Sequence, residues 1–258
     1  MKDLKFYLII LTLCIGNSSL LFSQNDTDIE DESSYIDLNN DAYDTEGKIN
    51  ILSISFGALI PQSSFKRNIK ENKFHINLEY LRQIKLYSPA FVGLEIGYSR
   101  LQGYSQVVDI ENFGVIESWN SNTTSSVWFG QIKTRYYFPF KIYKFDVFGE
   151  ANLGTRWFVA STTISPLNDI DDGTSNSTEY DKNDLVACYG ANLGLHLPIY
   201  QNSTFLQMKI GYQAGLSSYY FALKENLSSS YEYTQDAFDL KKSTTDMIKF
   251  DLGVSFTF

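Results

Sequence analysis

Residues able to do chemistry are few in this chain and widely spread. There are two histidines, His75 and His196. An imidazole beside a hydroxyl or a carboxylate can act as a general base, and His75 with Glu71 or Ser64 is the one grouping of that kind. His196 falls near the opposite end of its segment, so the two imidazoles are not expected to meet. Of the two cysteines, Cys14 and Cys188, the first lies in a leader described below. Cys188 is then alone, which excludes an internal disulfide and a thiolate metal centre. Asn168-Asp-Ile-Asp-Asp-Gly173 carries acids and a glycine but lacks the alternating ligand spacing of an EF-hand. No glycine motif suited to phosphate binding is present. The expectation is a non-enzyme with no catalytic residue, no cofactor and no bound metal.

The remaining ionic groups follow another rule: they occupy alternate positions in segments whose other positions are apolar. From residue 49 onward the dominant period is two, the signature of extended strands with one apolar and one polar face. Eight strands are predicted, at about 51–60, 74–86, 91–101, 128–138, 145–159, 185–197, 206–216 and 248–258. Each is long enough to cross a hydrocarbon layer at a tilt, which takes about nine to eleven residues. If the apolar face points outward, the polar face lines a lumen holding Lys85, Lys133, Arg135, Arg156, Lys209 and Lys249 with Glu79, Glu95, Asp146, Glu150 and Asp251. Cations and anions nearly balance. An eight-stranded barrel has room inside only for side chains, and buried ions must be paired. The expectation is a plugged polar core.

Connection lengths alternate. Short turns carrying Pro89, Pro139 and Pro198 join the second to the third, the fourth to the fifth and the sixth to the seventh strand. Much longer polar loops are expected after Pro61, from Val108, from Ser161 and from Ala222, which is the asymmetry of a membrane barrel with periplasmic turns and external loops. Aromatic residues gather at two levels. Tyr87, Tyr136, Phe138, Phe140, Tyr143, Phe145, Tyr200 and Phe258 mark the short-turn side. Tyr98, Trp128, Trp157, Tyr212, Tyr219 and Tyr220 mark the other, as rings do at headgroup level. Trp119, inside the second long loop, belongs to neither belt and is a candidate contact residue.

The two ends of the chain differ. Lys2 and Lys5 precede an apolar run of about ten residues, half of what a spanning helix needs, followed by small and polar residues; residues 1–23 read as a secretory signal peptide. Residues 24–48 carry nine acids and one lysine, so that −8 of the net −9 sits there and only −2 falls on residues 49–258. Like charge with low hydrophobicity predicts a disordered segment. No basic patch exists to bind nucleic acid. At the other end, Phe250, Leu252, Val254, Phe256 and Phe258 alternate with polar residues up to the last carboxylate.

That ending resembles the C-terminal signal of bacterial outer-membrane proteins, a terminal Phe with apolar residues at alternate positions before it. The resemblance implies that the barrel assembly machinery reads those five residues. Across residues 49–258 the chain resembles small outer-membrane β-barrels of the OmpA/OmpX type, porin-like barrels of diderm bacteria, without the peptidoglycan-binding domain of OmpA proper. The fold class expected is therefore all-β: an eight-stranded antiparallel up-and-down transmembrane β-barrel preceded by a signal peptide and a disordered acidic segment. A lipocalin is also an eight-stranded barrel, but the chain lacks that family's opening Gly-x-Trp strand. The resemblance places the protein in the cell outer membrane, with long loops extracellular and both termini periplasmic. Lipid A deacylases and outer-membrane proteases use similar barrels with a rim histidine, and His75 is the residue that could stand in such a place. The function expected is surface interaction or envelope integrity through the loops, with protein partners reached through those loops or the acidic segment. The alternatives are an accessory subunit of an envelope or secretion machine, similar to PorT-like barrels, or a narrow channel.

Overall fold

The computed structural model describes residues 49–112, 115–166, 177–200, 203–227, 231 and 233–258. The expected signal peptide, the acidic segment and the 168–173 loop lie outside these. Ten strands are present among the described residues: β1 (Asn50–Pro61), β2 (Lys73–Gln83), β3 (Ala90–Asn112), β4 (Val115–Ile142), β5 (Phe145–Pro166), β6 (Ser177–Tyr200), β7 (Thr204–Gly215), β8 (Ser217–Leu223), β9 (Phe238–Thr244) and β10 (Met247–Thr257). All but β8 and β9 close into one antiparallel ring, ordered β1-β10-β7-β6-β5-β4-β3-β2. The seam between first and last strands is paired from Ile51↔Thr257 to Pro61↔Met247. Asn50 and Phe258 extend it by exchanging backbone hydrogen bonds of 2.8 and 3.0 Å, so the ring has no free edge there.

Period two sorts the side chains as expected. Along β10, Lys249, Asp251, Gly253 and Ser255 are buried while Phe250, Leu252 and Phe256 are exposed. Outward-facing Leu94, Ile132 and Leu153 are neighbours across β3, β4 and β5, each more than half exposed. Together with the other outward residues they form a continuous apolar belt. An aqueous protein rarely exposes an apolar patch of more than a few hundred Å². A closed ring with every backbone bond satisfied and an oily exterior is the form in which strands cross a membrane. Among the described residues no helix is long and apolar enough to do so.

Several expectations about connections are corrected. The loops predicted from Val108 and Ser161 are continuations of strands: β3 pairs with β4 as far as Asn112↔Val115, and β5 with β6 as far as Ile164↔Ser177. Ser, Thr and Asn dominate these stretches, and in water neither face of a sheet needs apolar residues. Trp119 is part of this sheet, opposite Val108 and Pro166. The connection after Pro61 contains a short helix, α1 (Ser63–Asn68). The one after β7 contains the β8–β9 hairpin and a 3-10 turn at Thr234–Ala237. Pro139 and Pro198 are not in turns but inside β4 and β6, where the register slips. Bulges are where a strand tolerates a residue without an N–H. The β4–β5 turn lies beyond Pro139 at Tyr143-Lys144, with Tyr143 at a positive φ of 59°.

Candidate functional site

The lumen is stacked in three layers. In the middle layer Glu79 and Glu95 face each other directly across β2 and β3. Two carboxylates so placed repel, and Lys133 of β4 resolves the conflict by reaching Glu79 at 2.5 Å, Glu95 at 2.7 Å and Glu150 at 2.8 Å. Arg135, two residues along the same inward face, donates to Glu79 and Glu150 at 2.5 Å each. Lys209 of β7 adds a contact to Glu79 at 3.1 Å, and Lys249 of β10 one to Glu95 at 2.7 Å. Every one of these side chains is at most 1% exposed. Four cations thus surround three carboxylates.

The other lumen candidates stand apart from this cluster. Asp251 pairs with His75 and accepts from Asn77 at 3.0 Å. Asp146 is buried near the short β4–β5 turn and pairs with the partly exposed Lys141 at 3.1 Å. Arg156 is buried yet meets neutral groups: Thr245 Oγ1 at 3.0 Å, Gln213 Oε1 at 3.3 Å and the Thr245 carbonyl. Lys85 is not a lumen residue. β2 stops at Gln83, and Lys85 sits exposed in the following turn, because the alternation that suggested it runs past the strand's last ladder bond. The His75 grouping also fails: Glu71 pairs with Lys73 at 2.9 Å and Ser64 bonds Thr244 at 2.8 Å, while His75 turns inward to Asp251. Cys188 is buried and accepts from Gln131 Nε2 at 3.4 Å.

Apolar layers close the ionic one on both sides, and strand alternation alone does not predict them. At the short-turn end Ile51, Leu81, Phe91, Tyr137 and Phe148 form one buried cluster. The Arg135 guanidinium lies 4.1 Å from the centre of the Phe148 ring, and a Cβ at residue 194 would occupy the space of that ring, so Gly194 makes room for it. His196 is held there by Tyr137 Oη at 2.8 Å and Gln207 Oε1 at 2.7 Å. At the other end Phe65 and Ile69, from α1 and its cap, join Tyr220 and Ala222 of β8 and inward residues of the barrel such as Phe129, Phe158 and Met247. Tyr220 is therefore a plug residue, only 1% exposed, and not part of the aromatic belt. Tyr98, Trp128 and Trp157 do form a row on the outer surface, the first two with ring centres 4.8 Å apart. The sequence did carry a signal for both layers: apolar residues such as Leu59, Leu81 and Phe129 standing at the polar phase of their strands.

The plug is testable on its own. Phe65 packs edge-on against Tyr220 at 5.1 Å and Phe158 at 6.2 Å. Phe65→Ala is expected to weaken docking of α1 by about 3 to 5 kcal/mol. The readout is trypsin cleavage after Lys66 or Arg67 in protein that still shows the gel shift of a folded barrel; wild-type resistance would contradict it. Opening of this kind is local and need not unfold the ring.

No family model and no curated protein matches the sequence. Solved structures that are similar include Neisserial surface protein A, with 10% identity over 83% of this chain and all of that one and a TM-score of 0.42. Ail, the attachment invasion locus protein of Yersinia pestis, solved in complex with the heparin analogue sucrose octasulfate, has 12% identity over 83% and 100% of the two chains and a TM-score of 0.38. A major outer membrane protein from Thermus thermophilus has 12% identity, 81% and 99% coverage and a TM-score of 0.41. By its own strand pairing, this chain closes among the described residues as an eight-stranded antiparallel β-barrel.

Proposed function

We propose that this protein is a non-enzymatic anchor that displays a rigid β-sheet beyond the membrane surface for contact with a partner. The observation that carries the reading is the length of four adjacent strands. β3, β4, β5 and β6 run for 23, 28, 22 and 24 residues, whereas crossing takes about nine to eleven. The excess projects past the row of Tyr98, Trp128 and Trp157 on the same side as α1 and the β8–β9 hairpin. This end is taken as extracellular, and the end holding Asn50 and Phe258 as periplasmic. Loop tissue braces the sheet. Gln106 on β3 donates to the Tyr231 carbonyl at 2.7 Å and accepts from the Tyr231 amide at 3.2 Å, and Thr234 bonds Ser121 and Thr123 at 2.8 and 2.7 Å. A braced sheet loses little entropy on binding, which suits recognition better than a floppy loop does. The layered lumen, ionic between two apolar caps, speaks against a solute path. On the same reading Phe250, Leu252, Val254, Phe256 and Phe258 serve the assembly machinery before they meet lipid.

A photo-crosslinking residue in place of the exposed Ser118, on the projecting sheet, tests this in intact cells. Adducts with extracellular or cell-surface proteins are expected. Adducts exclusively with periplasmic proteins would reverse the orientation and remove the reading.

A further inference from the structure

The projecting end carries a basic groove that the display role does not use. A cavity of about 570 Å³ opens between α1, the start of β2, the β3 extension and the β8–β9 hairpin. Five cations line it: Arg67, Lys70, Lys73, Lys224 and Lys241. Three acids line it too, and each is already matched to one lysine: Glu225 with Lys70 at 2.7 Å, Glu71 with Lys73 at 2.9 Å and Asp239 with Lys241 at 2.9 Å. The hydrogen bonds and charge of Lys73 and Lys70 hold the Glu71 and Glu225 carboxyls below their ordinary values, so both acids are ionised at neutral pH and cancel one lysine each. Arg67 and Lys224 have no anionic partner among the described residues, and Lys224 is set over the Tyr231 ring at 5.6 Å. The groove thus has two cations to spare.

Its position says what could reach it. Lys73 lines the groove, and the next residue, Phe74, is 67% exposed on the outer wall and stacks on the lipid-facing Phe56 at 6.3 Å between ring centres. The groove therefore begins within one residue of the apolar belt, at the height where lipid headgroups lie against a membrane barrel. From this juxtaposition we propose that the groove binds the phosphorylated headgroup of a lipid in the leaflet on that side, with Arg67 and Lys224 contacting the phosphate and the acyl chains lying against Phe74 and Phe56. Arginine gives a forked contact to phosphate oxygens and lysine a point charge.

Refolded full-length protein in a neutral detergent can be offered phosphatidylglycerol and phosphatidylcholine of identical acyl chains, with bound lipid counted by native mass spectrometry and inorganic phosphate added as competitor. Wild type is expected to retain phosphatidylglycerol preferentially. The R67Q/K224Q variant, its folding checked by gel shift, is expected to lose at least about tenfold of that preference, and each single variant part of it. Equal retention of the two lipids by wild type, or an undiminished preference in the folded double variant, would overturn the proposal. Displacement of phosphatidylglycerol by inorganic phosphate at comparable concentration would overturn the lipid assignment in favour of a soluble anion.

Discussion

Glu79→Gln is expected to destabilise the folded barrel by about 3 to 5 kcal/mol, the cost of breaking a buried ion pair by removing one partner. Glu79 is the hub of the middle layer, touching Lys133, Arg135 and Lys209. Glutamine keeps the shape but removes the charge and replaces an acceptor oxygen by a donor that faces other donors. Since the cluster already holds four cations against three carboxylates, the change leaves four against two. Arg135→Ala moves in the opposite direction. It leaves three against three, and both of its former partners stay paired: Glu79 with Lys133 and Lys209, Glu150 with Lys133 and with Asn192 Nδ2 at 2.8 Å. From sequence, Arg135→Ala looks costly because it would orphan a carboxylate; with the partners known, its cost falls to about 1 to 3 kcal/mol, that of lost charge-assisted bonds. Urea unfolding in detergent, followed by the gel shift and by tryptophan emission, ranks the two. Arg135→Ala proving the more damaging would mean that surplus positive charge is not what limits this layer.

Sidedness was legible from sequence because a strand's period is two and a membrane wall demands one oily face and one polar face. Residues such as Ile132 and Lys133 declare their directions by type alone. Beyond the membrane that contrast vanishes. Ser105, Asn120 and Thr123 lie in paired strands but alternate polar with polar, so the projecting sheet reads as loop. The same loss of contrast hid the β8–β9 hairpin, while α1, at six residues, is too short for a helical period to register. Partner choice inside the lumen was legible only in part. Which inward residues share a level depends on the stagger of strands around the ring, a property of the closed sheet and not of any one strand. Hence Arg156, on the correct face, is grouped by sequence with acids it does not meet, and Lys85 is carried inward by a pattern that outlasts its strand.

The sidedness itself can be measured at one position. Ile132 is 58% exposed and lies four residues from Trp128 on one side and four from Tyr136 on the other, both exposed rings of the same strand. That puts it midway between the two belts, beside Leu94 and Leu153. Ile132→Arg is expected to destabilise the barrel in lipid vesicles by about 2 to 4 kcal/mol, the cost of a guanidinium near the bilayer midplane. The identical change at Val107, 54% exposed on the projecting part of β3, should stay within about 0.5 kcal/mol, as for an ordinary surface site. Area cannot explain such a difference, since the two side chains are almost equally exposed; only the surrounding solvent differs. The depth of the response therefore separates oil from water on the outer wall. If both variants unfolded at the same urea concentration as wild type, the belt around Ile132 would be in contact with water, and the ionic layer behind it would be the core of a soluble barrel.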